Sequence, residues 1–115
     1  MNRLTFALVL AVGVAACGSG SNDTSDPVAA CKSVFSTLCN KLFQCNASGA
    51  AQLYGTASAC ASNLGAGCNA SNTSCPAGRS YSAGNANTCI NDYSNESCSD
   101  ISSGVTPPSC SSVCQ

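Results

Sequence analysis

The sequence predicts a small all-α domain held by disulfides, a bundle of about three helices with a loop-rich C-terminal tail. Three observations carry that expectation. Beyond Cys17 the 115-residue chain has ten further cysteines: Cys31, Cys39, Cys45, Cys60, Cys68, Cys75, Cys89, Cys98, Cys110 and Cys114. Leu, Ile, Val and Phe make up about 12% of residues 17–115, below the roughly 20% at which a packed core becomes doubtful. The third observation is periodic: apolar residues recur at steps of three and four between helix caps, and no stretch shows the alternation of a strand.

A chain poor in core residues remains disordered when it also carries high net charge. Here the net charge is −1, and the cysteine density is that of a secreted scaffold in which covalent links replace buried area. At about 2 to 4 kcal/mol per bridge, five disulfides exceed the net stability of a domain this size.

The first helix is the best marked. Asp26 can cap its free amides and Pro27 suits its first turn. Val28, Cys31, Phe35, Leu38, Cys39, Leu42 and Cys45 then form one apolar face over residues 27–45. A second helix is expected over 50–64, capped by Ser48 and stopped by Gly65 and Gly67, with Gly55 inside it at a cost of about 1 kcal/mol. Residues 67–78, with Cys68 and Cys75, read as a loop stapled on itself or to a neighbour. A third helix is expected over 82–95, with Ala86, Cys89, Ile90 and Tyr93 inward, followed by a turn at 97–100. Pro107 and Pro108 make the following stretch extended or turned before a last helical turn ending at Cys114.

Ten cysteines can pair in on the order of a thousand ways. Facing positions of an antiparallel helix pair keep a constant index sum. Cys31 with Cys98 and Cys39 with Cys89 nearly meet that condition, so these two bridges are the expected clamp between the first and third helices.

The N-terminal region is read as targeting rather than fold. Arg3 precedes thirteen mostly apolar residues, 4–16, the layout of a secretion signal. Thirteen helical residues rise only about 20 Å against a hydrocarbon core of about 30 Å. Val14-Ala15-Ala16-Cys17 then resembles the lipobox of bacterial lipoproteins. The resemblance implies that the Cys17 thiol receives a diacylglyceryl group, that cleavage falls just before it, and that the new amine is acylated. The other reading is ordinary signal peptidase cleavage at the same bond, leaving Cys17 a free thiol. Cysteine arithmetic favours the first, because eleven cysteines are odd and removing Cys17 leaves ten that can all pair.

The expected organisation is a signal peptide at 1–16, a flexible small-residue tether at 17–25 and the disulfide-rich helical domain at 26–115. Gly18 rather than Asp after the anchor cysteine implies, by the same resemblance, transfer to the outer membrane. The spacing Cys31-x7-Cys39-x-Lys41-x3-Cys45, the later Cys98-Ser99-Asp100 and the tail Pro107-x2-Cys110-x3-Cys114 resemble small cysteine-rich lipoproteins predicted from myxobacterial genes. That group brings no catalytic role to any residue.

Chemistry is sparse. The chain has no histidine, which removes the usual general base, the Ser–His and Cys–His pairs and the commonest zinc ligand. No Cys-x-x-Cys and no Ser-x-x-Lys occur. No cofactor is expected, and no basic patch suggests nucleic acid. Asp92, Glu96 and Asp100 recur at four-residue steps. They could line one helix face for calcium or acid–base work, but a solvated acidic face is the simpler reading. Tyr54, Tyr81 and Tyr93 are expected in or near the core, and Lys32 and Lys41 on opposite sides of their helix. The expectation is a non-enzymatic envelope lipoprotein, anchored to the membrane through Cys17, with an envelope or extracellular protein as partner. A small inhibitor of a secreted hydrolase, presenting residues 67–78, is the alternative.

Overall fold

The first helix of the computed structural model, α1 (Pro27–Cys45), is the axis on which the other elements are laid. The structure describes residues 22–115. The expected signal peptide, Cys17 and most of the tether lie outside the described residues. Asp26 caps α1 by accepting a hydrogen bond of 2.9 Å from the Ala29 amide, with Pro27 in the first turn. The helix ends at Cys45 because Asn46, with φ −151°, leaves helical geometry.

Asn46 at once starts α2 (Ala47–Tyr54), its side chain accepting from the Gly49 amide at 3.0 Å. The cap is therefore Asn46 rather than Ser48. The single helix expected over 50–64 is two helices. Gly55 adopts φ +78°, in the region that favours glycine, and closes α2; Thr56 then caps α3 (Ala57–Gly65) through its hydroxyl. Two strong local signals, a glycine stop and a threonine cap, outweigh the continuous apolar period across them.

Within the expected loop 67–78, Asn69 builds a capping box and starts the one-turn α4 (Ala70–Thr73). Ser82 caps α5 (Ala83–Asn95), close to expectation. The turn expected at 97–100 is instead the start of α6 (Cys98–Ser103), capped by Ser97 and closed by Gly104 at φ +70°. A 3-10 helix, Pro108–Ser112, precedes the end of the chain. Ser80 and Gln115 exchange backbone hydrogen bonds and Ser82 donates to Val113, so the last residues lie alongside the entry to α5. The fold is all-α, small and disulfide-rich.

Five disulfides join Cys31 to Cys68, Cys39 to Cys60, Cys45 to Cys98, Cys75 to Cys114 and Cys89 to Cys110. The expected bridges Cys31–Cys98 and Cys39–Cys89 are both corrected. The equal-sum rule holds, but for a different partner: the two bridges of Cys31 and Cys39 have identical index sums with Cys68 and Cys60. The chain reverses through α2, so that α3 folds back against α1, whereas Cys89 on α5 turns to the C-terminal tail. α1 packs chiefly on α3 and α5, and α5 also packs on the 3-10 helix.

Among the described residues the buried apolar set is Ala30, Cys39, Ala50, Cys60, Cys68, Ala86, Cys89, Ile90 and Ile101. Four of these nine are half-cystines. The core is thus built of small groups that let helices approach closely, and Ile90 is its largest fully buried side chain. No described helix is long and apolar enough to cross a membrane.

Candidate functional site

Two helix faces and the chain terminus enclose an apolar cleft of about 280 Å³. From α1 come Pro27, Ala30, Cys31, Val34 and Phe35, whose steps of three and four put them on one face. From α5 come Ala86, Cys89 and Tyr93, at steps of three and four, with Tyr81 just before the helix. Cys110 and Val113 close the third side and Thr73 of α4 touches the rim. The walls are fixed covalently. Cys31–Cys68 ties α1 to the start of the 67–78 segment, and Cys89–Cys110 ties α5 to the 3-10 helix.

The chain enters this domain across the cleft's edge. The Tyr81 hydroxyl donates to the Thr24 carbonyl at 2.8 Å, and the Ser33 hydroxyl donates to the Asp23 carbonyl at 3.0 Å. Thr24 is buried. Residues 23–25, expected within the tether, are therefore fastened to the domain, and its packing begins ahead of Asp26. Burial, then the negative charges of Asp26 and Asp23, raise the Tyr81 phenol above its ordinary value, which keeps it a proton donor. Asp23 is lowered by hydrogen bonds from the Ser25 side chain and amide.

Of the three tyrosines, all are half-buried, as expected; Tyr81 and Tyr93 meet in the cleft, and Tyr54 lies on α2 beside the exposed Leu53. Lys32 is exposed beside α3, its Cγ 3.5 Å from where a β-carbon on Gly65 would sit. Periodicity marks Phe35, Ala86 and Tyr93 as inward, but only the path of the chain terminus reveals that they share a cleft.

The three carboxylates do not form one helix face. α5 ends at Asn95, so Asp92 lies on it, Glu96 caps it and Asp100 belongs to α6. Asp92 accepts a hydrogen bond from the Ser109 hydroxyl and Asp100 one from Ser97. Glu96 is half-buried, and its Oε2 is out of solvent without a hydrogen-bond partner. Its carboxyl is raised above the ordinary value, first by burial, then by Asp100 and Asp92, with Lys41 acting the other way.

A raised acid binds its proton more tightly in the folded state. Its stabilising contribution is thus present at pH below the unfolded value of about 4.3 and lost as pH rises through the folded one. Glu96→Gln is expected to raise the melting temperature at neutral pH and to leave it unchanged near about pH 3, where wild type is also protonated. Thermal melts of both proteins across that range check it, and equal shifts at both ends would contradict it.

No group of three or more His, Cys, Asp or Glu side chains that could hold a metal ion occurs among the described residues. No protein-family model matches the chain, and neither a curated protein nor a solved structure shows significant similarity to it.

Proposed function

We propose that this chain is a non-enzymatic lipoprotein of the bacterial cell envelope, a disulfide-braced interaction or structural module anchored to the outer membrane through acylated Cys17. The observation that carries this reading is how the cysteines are used. All ten from Cys31 to Cys114 are taken up in mutual disulfides. Cys17 is left over at the end of Val14-Ala15-Ala16, following an apolar run. Five disulfides favour an oxidising compartment over the cytosol. Two or three acyl chains give stable anchoring where one alone is marginal.

In a bacterial host, Cys17→Ser is expected to abolish incorporation of a clickable palmitate analogue and the added acyl mass. Mass spectrometry and gel fluorescence read both. Undiminished label on the variant would overturn the anchor.

A second reading, a hydrolase inhibitor, draws on one feature. Residues 67–78 are fastened at Cys68 to α1 and at Cys75 to the chain terminus, with Ser71, Asn72, Pro76 and Ala77 exposed between or beside the two links. A segment ordered before binding loses little entropy on binding.

A further inference from the structure

We propose that the cleft between α1, α5 and the C-terminal tail is a binding site for a small neutral aromatic molecule. Its volume, about 280 Å³, exceeds the roughly 150 Å³ of an apolar cavity that admits benzene. It has room for one ring with a short substituent. Val34 and Phe35 supply apolar wall, Tyr81 and Tyr93 supply aromatic edges and faces, and the half-cystines Cys89 and Cys110 add polarisable sulfur, which favours contact with a ring.

No charged side chain lines the cleft, so an ionised ligand would lose hydration with nothing to replace it. Three hydroxyls line the cleft, and that of Thr73 donates to the Asn69 carbonyl. The Tyr81 hydroxyl is committed to the Thr24 carbonyl, whereas that of Tyr93 has no hydrogen-bond partner among the described residues. A ligand hydroxyl can pair with it. The disulfides Cys31–Cys68 and Cys89–Cys110 brace a residue of each helix wall against a neighbouring segment, so little ordering is needed when the ligand arrives.

The full chain, purified from its host membrane in neutral detergent, is titrated with p-cresol while the aromatic proton–carbon shifts of Phe35, Tyr81 and Tyr93 are followed. Saturable shifts at these residues are expected, with benzoate at least about tenfold weaker. Ala86→Leu, which places a larger side chain in the cleft, is expected to abolish them in the same detergent. Where that variant loses the native disulfide pattern, Tyr93→Phe decides. It is expected to weaken p-cresol about three- to tenfold, the worth of one hydrogen bond, and to leave toluene unchanged. Shifts that stay linear to the solubility limit, persist in a correctly bridged Ala86→Leu, or fail to distinguish p-cresol from toluene in Tyr93→Phe overturn the proposal.

Discussion

Full reduction of the five disulfides is expected to unfold the domain. The shortest bridged loops have a sequence separation of 21 residues and the longest of 53. The chain-entropy relation assigns such loops about 3 and 4 kcal/mol each. The loops overlap in sequence, so their contributions do not simply add, but two or three together already reach the 5–15 kcal/mol that native domains possess. Nothing else compensates, because four of the nine buried apolar residues are themselves half-cystines.

The order of loss should follow exposure. Cys98 is exposed while Cys39 and Cys60 are fully buried at 0%, so the Cys45–Cys98 bridge is reduced first and Cys39–Cys60 only as the fold opens. The expected signal is loss of helical circular dichroism and of a cooperative melt. An unchanged spectrum with ten titratable thiols would contradict it.

Ile90→Ala is the single substitution expected to cost most. Ile90 is 1% exposed and is the largest fully buried side chain, on the buried face of α5. Removing three carbons there forfeits transfer energy and leaves a void, together about 2–5 kcal/mol. Collapse into the void is resisted because the adjacent Cys89 is bonded to Cys110. For a domain of this size the loss corresponds to a melting temperature lower by on the order of 10–30 °C. Ile90→Val should lose about 1 kcal/mol. Melts with disulfides intact measure both, and a fall of no more than about two or three degrees for the alanine variant would show that the covalent frame alone holds α5 in place.

Much of the architecture was legible because helix ends have local chemistry. Asp26 with Pro27 and Ser82 each mark a helix start within one residue. The break between α2 and α3 was harder, since Gly55 reads either as a tolerated interior glycine or as a left-handed stop; what decides is the neighbouring Thr56, a cap in its own right. The bridges expected from the constant index sum, Cys31–Cys98 and Cys39–Cys89, pair α1 with the third helix, but the chain following α1 turns back on it first and α3 takes that place.

The cleft was illegible for a related reason. Its α1 and α5 walls are marked by periodicity, but its third side depends on where Cys110 and Val113 go, and proline-rich tails carry no period to reveal it. Likewise Thr24, in a small polar stretch, gives no sign that its carbonyl is taken by a tyrosine 57 residues away.

The ten cysteines of the domain are all bridged, and Cys17 is the proposed anchor. The most direct test is the intact mass of the protein from its native membrane, before and after reduction and alkylation. A species beginning at Cys17 with added acyl mass is expected, with no thiol alkylated before reduction and ten alkylated after it. A species without acyl mass, with one thiol reactive before reduction, would contradict the anchor and move the secreted-inhibitor reading ahead of it.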